Sequence, residues 1–166
     1  MNRAKINELY EVETPADPAV REELVKNLMA EAVENEAGRP SVEAPLHNVF
    51  DARFVVHTHP ALVNGLTCAK QGEAACGRLF PDALWVEYID PGYTLCLEVR
   101  QRIGDYKARH GEQPALLVLK NHGIFIAADS PDEIRALYNR VMDALKTEYA
   151  KAGVSMELDV ADAPAD

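Results

Sequence analysis

The apolar run of residues 54–56, which leads directly into His57-Thr58-His59-Pro60, constrains the fold of this chain more than any other segment. Aromatic and β-branched residues in a short run predict a β-strand. Alternate side chains of a strand share a face, so His57 and His59 point the same way, and Pro60 ends the pairing directly after them. Two imidazoles on one face supply half of a tetrahedral zinc site, although such a pair also suits a structural or solvent-facing role.

A third histidine stands after a second apolar run, where residues 115–119 are followed closely by Asn121-His122-Gly123. An open catalytic zinc takes three protein ligands and keeps its fourth position for substrate or water, so His122 is a candidate for the third ligand. The alternative is that Asn121 and Gly123 mark a plain turn. The residues alone therefore leave a metal site and a structural role both open.

Segments of helical and of strand character alternate along the chain, which predicts an α/β protein built on a layered sheet. Asp17 and Pro18 start a helix whose apolar positions recur every four residues from Val20 to Ala32, and residues 36–38 end it. Further helices are predicted for a short segment capped by Ser41, for residues 61–70, 73–79 and 94–110, and from the capping box of Ser130 and Glu133 to about residue 150. Further strands are predicted for residues 83–89, 115–119 and 124–127. Residues 1–16 show no clear period.

Composition and charge limit the class of protein. A chain of 166 residues with 48% hydrophobic residues fits a single domain, predicted over residues 1–150, and residues 151–166 are predicted to form an acidic, disordered tail. A net charge of −10 argues against nucleic acid or an anionic membrane as partner, and no apolar run approaches the ~20 residues of a membrane span. Three cysteines without a C-x-x-C pair are typical of reduced thiols, which predicts a cytoplasmic protein.

Three motifs in one order resemble the class II aldolase/adducin family, which includes zinc-dependent sugar-phosphate aldolases and ribulose-phosphate 4-epimerases. Residues 40–43 read Pro-Ser-Val-Glu, residues 55–60 read Val-Val-His-Thr-His-Pro, and residues 117–123 read Leu-Val-Leu-Lys-Asn-His-Gly. The resemblance covers residues 36–150. Residues 39–47 look most similar to the branch in which the aldolase module is joined to a short-chain dehydrogenase.

The resemblance implies a role for each site residue. His57, His59 and His122 would bind Zn²⁺ or another divalent metal, Glu43 would be the catalytic acid/base, and Ser41 would help to hold a substrate phosphate. From the residues alone, Glu43 also suits a first-turn helix acid and Ser41 a helix N-cap.

The same resemblance implies a fold and an activity. The expected fold is a three-layer α/β/α arrangement around a mixed or antiparallel sheet. The expected activity is zinc-dependent aldol cleavage of a sugar or sugar phosphate through a metal-stabilised enediolate. The resemblance also implies assembly into a homo-oligomer such as a tetramer. Alternatives are a sugar-phosphate 4-epimerase using the same chemistry and a non-catalytic, adducin-like assembly module.

One part of the family pattern is absent from this sequence. Residues 1–38 contain no Gly-Asn-x-Ser loop of the kind that cradles the substrate phosphate. The chain is therefore expected to be an N-terminally shortened relative, and the position of Val42, where the family usually has a second Ser, is a further departure.

Overall fold

The structure, a computed structural model, describes residues 1–34 and 38–155. Helices and strands alternate along these residues, as the sequence predicts. In chain order the elements are α1 (Arg3–Leu9), α2 (Pro18–Glu31), α3 (Ala44–Asn48), β1 (Phe54–Thr58), α4 (Ala61–Thr67), α5 (Gly72–Leu79), β2 (Leu84–Val86), α6 (Tyr93–His110), β3 (Leu116–Leu119), β4 (Ile124–Ala128) and α7 (Pro131–Lys151).

The four strands form one mixed sheet in the order β1-β4-β3-β2. β4 is antiparallel to both β1 and β3, whereas β2 is parallel to β3. In this register His57 lies opposite Phe125, and Thr58 lies opposite Ile124. The end of β1 that carries the histidines therefore lies beside the start of β4, directly after the β3–β4 turn.

Helices cover both faces of the sheet, so the three-layer prediction is confirmed. Leu117 and Phe125 belong to one buried cluster, together with residues of α1, α2, α3 and α6. Leu116 and Ile124 belong to a second cluster with residues of α4, α5 and α7. This division follows from the two-residue period of a strand, which sends neighbouring side chains to opposite faces.

Several predicted helix ends are confirmed by their caps. The Asp17 side chain accepts a hydrogen bond from the Val20 amide at 3.0 Å, and Ser130 and Glu133 form the predicted capping box. Gly111 ends α6 in the left-handed conformation, with φ of 83°. These ends could be predicted because each depends on a local side chain or on the conformational freedom of glycine.

Several details of the secondary structure differ from the predictions, including the helix predicted over residues 61–70, which ends at Thr67. Residues 3–9 form a helix capped by Asn2, where no period was evident, and β2 is shorter than the predicted residues 83–89. Helix α2 ends at Glu31, before the end predicted at residues 36–38. Residues 36 and 37 lie outside the described residues. Ser41 is not the N-cap of α3, because Glu43 occupies that position.

Most of the predicted acidic tail lies outside the described residues. Helix α7 continues to Lys151, which was predicted to belong to the tail, and residues 156–166 lie outside the described residues. No helix within residues 1–34 and 38–155 is long and apolar enough to cross a membrane.

Hydrogen bonds from α1 and from Tyr10 after it hold α3 in position. The Arg3 Nε–H donates to the side chain of Asn48 at 2.9 Å, and Arg3 Nη2 donates to the backbone oxygen of Phe50 at 3.0 Å. The Tyr10 hydroxyl donates to the backbone oxygen of Pro45 at 2.9 Å. These bonds hold the short helix that follows Glu43 in a fixed place beside β1.

Candidate metal centre

Strand β1 places His57 in a nearly buried position on the first face of the sheet. Its ring stacks on Phe125 with a centroid distance of 4.0 Å, and its side chain is only 5% exposed. His59 lies one residue beyond the strand and is exposed. The Nε2 atoms of the two rings are 2.7 Å apart, so the side chains share a face as the strand period predicts.

A backbone hydrogen bond fixes the tautomer of His57. Its Nδ1 atom lies 2.8 Å from the carbonyl oxygen of Ile124 on the neighbouring strand. A carbonyl oxygen can only accept, so Nδ1 carries the hydrogen and Nε2 keeps its lone pair. Metal-binding histidines in proteins are oriented by this kind of second hydrogen bond.

His122 is positioned by the tight turn between β3 and β4. The Leu119 amide donates to the Gly123 oxygen at 2.9 Å, and the His122 amide donates back to the Leu119 oxygen at 3.2 Å. Asn121 takes the left-handed conformation, with φ of 56°, which Asn tolerates better than most residues. The motif therefore does form a turn, and that turn brings the third imidazole to the end of β1.

Gly123 allows β4 to approach the end of β1 closely. A Cβ atom at this position would lie 2.5 Å from both the His59 Cδ2 atom and the Thr58 backbone oxygen. Both distances are far below van der Waals contact, so no residue with a side chain fits without displacing its neighbours. The glycine of the motif is explained by packing against His59.

Glu43, at the N-terminus of α3, lies close to the same three imidazoles. Its Oε1 atom is 3.4 Å from His57 Nε2 and 3.3 Å from His122 Nε2. The carboxylate makes no capping hydrogen bond to α3. Its side chain is 30% exposed, which leaves room for a small molecule to reach it.

These four side chains can hold a metal ion together. One donor atom from each of Glu43, His57, His59 and His122 lies within 4.8 Å of all the others. Ligand atoms around a tetrahedral zinc, with bonds of roughly 2.0–2.2 Å, are separated by roughly 3.3–3.6 Å, so small side-chain shifts would complete the geometry. Imidazole nitrogens with one carboxylate oxygen are a donor set that suits Zn²⁺. The residues present therefore fit a divalent metal.

Burial keeps two of the imidazoles neutral. It lowers the pKa of His57 below its ordinary value of 6.5, against the opposing effects of the Ile124 carbonyl and the Glu43 carboxylate. The pKa of His122 is lowered by burial first and by nearby His59 second. A neutral imidazole has a free lone pair for a metal, whereas a protonated one has none.

Ser41 and His47 lie next to this cluster without belonging to it. The Ser41 side-chain oxygen accepts a hydrogen bond from the Glu43 amide at 3.1 Å, so it shapes the turn that presents Glu43. The His47 ring meets His57 edge-on at a centroid distance of 6.4 Å. The structure thus gathers the four residues of the predicted metal and acid/base site, while the predicted substrate residue Ser41 touches Glu43 only through the backbone.

Sequence reasoning did not identify two contributors to this site. The Ile124 carbonyl orients His57, and the Arg3 side chain holds α3. A backbone acceptor has no residue-type signal, and a contact across 45 positions of sequence leaves none either. The glycine after His122 was visible in the sequence, but only the packing shows its purpose.

Comparison with known proteins establishes the family. The family model described as "Class II Aldolase and Adducin N-terminal domain" matches residues 14–149. The chain belongs to this family. The match begins well before residue 36, where the resemblance based on motifs began.

Individual relatives agree with the fold and differ in length. The uncharacterized oxidoreductase YuxG of Bacillus subtilis (strain 168) is 29% identical over 104 residues, which are 62% of this chain and 14% of that protein. The N-terminal class II aldolase domain of a conserved protein from Thermoplasma acidophilum has a TM-score of 0.72 at 18% identity, covering 88% of this chain and 63% of that chain. An aldolase II superfamily protein from Pseudomonas syringae has a TM-score of 0.52 at 16% identity, covering 76% of this chain and 55% of that one. The chain therefore spans less than two thirds of each of these relatives.

Proposed function

We propose that this member of the class II aldolase and adducin family is a zinc-dependent lyase that cleaves a hydroxy-carbonyl sugar or sugar phosphate by a retro-aldol reaction. The observation that carries the proposal is the convergence of Glu43 with His57, His59 and His122. A protein that served only as scaffold would have no need for three imidazoles and a carboxylate around one point.

The three imidazoles would hold the metal. Zn²⁺, when bound, supplies positive charge that stabilises the oxygens of the hydroxy-carbonyl group. Neutral imidazoles leave the full charge of the cation available, whereas thiolate ligands would reduce it. The hydrogen bond to the Ile124 carbonyl and the stacking on the Phe125 ring orient the His57 imidazole, so that its Nε2 lone pair would be available to the ion.

Glu43 would move the proton. Cleavage breaks a carbon–carbon bond: the β-hydroxyl group gives up its proton and becomes the carbonyl group of the released aldehyde, and the electron pair of the broken bond stays on the carbon beside the other carbonyl group, where a proton must be delivered. In the reverse direction the same carboxylate would remove that proton. Glu43 suits this role because it is partly exposed, faces the cluster, and is held in place by the Ser41 turn on one side and α3 on the other.

The alternatives predict different products. A 4-epimerase would use the same residues but return a stereoisomer and release no aldehyde. An adducin-like module would perform no reaction on any sugar. The metal-binding arrangement favours an enzyme over the module, and assembly into a homo-oligomer is part of the same proposal.

The test combines metal analysis with an activity screen. The purified chain is expected to contain about one zinc per chain and to release aldehyde from at least one sugar or sugar phosphate. A His59→Ala variant is the control, since it should lose both metal and aldehyde release. Normal zinc content with neither aldehyde nor stereoisomer from any substrate would overturn the proposal and support the assembly module.

A further inference from the structure

Strand β1 is an edge of the sheet, and within residues 1–34 and 38–155 no strand pairs with its outer side. All of its residues are only partly buried, whereas every residue of β3 is buried. An open edge strand offers its unpaired backbone groups to any other extended segment. Residues 54–58 contain neither the Lys nor the Pro that commonly protects such an edge, so β1 is suited to pair with a further strand.

The hydrogen bonds of β4 show which backbone groups of β1 face outward. The Ala127 amide donates to the residue before β3 at 2.9 Å, away from β1. Successive residues of a strand direct their backbone groups to opposite sides, so Ile126 faces β1, where it pairs with Val56. The N–H and C=O groups of Val55 and His57 therefore point away from the sheet, and no residue of the described chain bonds to them.

The charges around β1 allow a second copy of the chain to approach. The net charge of −10 makes two copies repel each other over most of their surfaces, but residues 52–61 contain no Asp or Glu. Two carboxylates near the strand are already engaged, because Glu43 faces the imidazoles and Asp129 accepts a hydrogen bond from the Arg53 amide. The edge of β1 is therefore a place where contact between two acidic chains costs little.

We infer that β1 forms the contact of a symmetric dimer, in which the β1 strands of two copies pair antiparallel about a two-fold axis at Val56. The outward groups of Val55 and His57 lie symmetrically about this residue, so Val55 of each copy exchanges backbone hydrogen bonds with His57 of the other. The two sheets then join into one, and the two copies of Arg53 lie at opposite ends of the contact, about 20 Å apart.

This dimer has a consequence for the metal centre. The backbone of His57 would be held from its outer side as well as by the strand pairing with β4, so assembly and the position of a metal ligand are linked. The inference rests on the homo-oligomer that the proposed function includes, gives it an interface, and does not depend on the lyase reaction.

Amide hydrogen exchange of the full chain tests the pairing at individual residues. We expect exchange at Val55 and His57 to slow at least about tenfold as the chain concentration rises and sedimentation shows the dimer forming. The Val56 amide is the internal control. It faces β4, so it should be protected at every concentration.

Two substitutions test the register. In Val56→Cys, the two copies of residue 56 would lie about 4.5 Å apart, within reach of a disulfide, so mild oxidation should give a covalent dimer. Cys68→Ser is used as background because Cys68 is exposed, and Val20→Cys, at an exposed position of α2, is the matched control that should stay monomeric on a non-reducing gel. Val55→Pro removes only an outward N–H group and should weaken dimerisation at least about tenfold.

The other outcomes overturn the inference. A monomer with fast exchange at Val55 and His57 shows that the edge stays open, and a monomer in which both amides are protected shows that another segment of the chain covers it. A dimer that forms no disulfide in Val56→Cys uses another surface. Circular dichroism shows whether Val55→Pro folds, and exchange and cross-linking decide the question without it. Aldehyde release by a monomer would leave the lyase proposal standing, and a β1-paired dimer without turnover would do the reverse.

Discussion

Gly123 lies directly against the imidazole of His59, so close that a single added carbon atom would stand 2.5 Å from the His59 Cδ2 atom. The same carbon would meet the Thr58 backbone oxygen at 2.5 Å, and a backbone atom cannot turn aside as a side chain can. The spacing between the β3–β4 turn and the end of β1 therefore depends on the absence of a side chain at residue 123.

Gly123→Ala should consequently damage the metal site more than its small size suggests. We expect zinc affinity to fall by about tenfold or more, and the free energy of unfolding to fall by about 1–3 kcal/mol, because the added methyl group forces β1 and β4 apart. Zinc titration and urea denaturation measure the two effects. Gly104→Ala is the control: nothing lies within 4 Å of its added carbon in α6, so zinc affinity should be unchanged and stability should rise by roughly 0.4–1 kcal/mol. Equal zinc affinity in the two variants would contradict this account.

Zinc affinity should resist mild acidification. A proton competes with zinc for each imidazole, so affinity falls once the pH drops below the pKa of a ligand. Burial lowers the pKa of His57 and of His122 below 6.5, so protonation of these two ligands begins only at more acidic pH. Zinc affinity would be measured by competition with a chelator from about pH 7.5 to about pH 5. The part of the loss in affinity that comes from protonation of His57 and His122 should appear only below pH 6.5. A steep loss traced to His57 or His122 above pH 6.5 would be inconsistent with their burial.

The three thiols should differ in reactivity. Cys68 is exposed, whereas burial raises the pKa of Cys76 to about 11 and that of Cys96 to about 12. Only a thiolate attacks a disulfide reagent, so a thiol titration of the native chain should count one fast cysteine, and the unfolded chain should count all 3. Cys68→Ser should abolish the fast reaction. Rapid labelling of Cys76 or Cys96 in the native chain would show that the cores around α5 and α6 open readily.

The sequence was informative where one residue decides a local conformation. Pro60 ends β1, Gly111 ends α6, and Ser130 with Glu133 opens α7, because each of these effects acts within a few residues. The geometry of a strand also predicted that His57 and His59 share a face. The meeting of His122 with them required the pairing of β1 with β4, which only the third motif and the family resemblance indicated.

Tertiary packing decided what the sequence left undetermined. In α2 the predicted apolar stripe began at Val20, yet Val20 is 56% exposed while Val25 and Met29 are buried. Both stripes have helical spacing, and contact with α1 and α6 selects between them. Helix α1 has only Ile6 and Leu9 as buried residues, too few to produce a visible period in one short segment.

Glu43→Gln separates the proposed proton transfer from metal binding. The amide is nearly isosteric with the carboxylate, and the three imidazoles remain, so we expect about one zinc per chain to be retained. Proton transfer should fall by roughly 10²–10⁴-fold, because the amide cannot exchange a proton with carbon. Zinc analysis and the rate of aldehyde release test the two expectations.

His59→Ala provides the contrast, since it removes a metal ligand and should lose zinc and activity together. The two variants are comparable because Glu43 and His59 both have solvent-accessible side chains at the edge of the sheet, where a substitution opens no cavity in the core. If Glu43→Gln turns over as fast as the parent, Glu43 only serves the turn before α3, and the catalytic carboxylate lies elsewhere. If Glu43→Gln instead loses zinc as completely as His59→Ala, the carboxylate acts mainly as a fourth ligand, which its distances of 3.3 and 3.4 Å to the Nε2 atoms of His122 and His57 would explain.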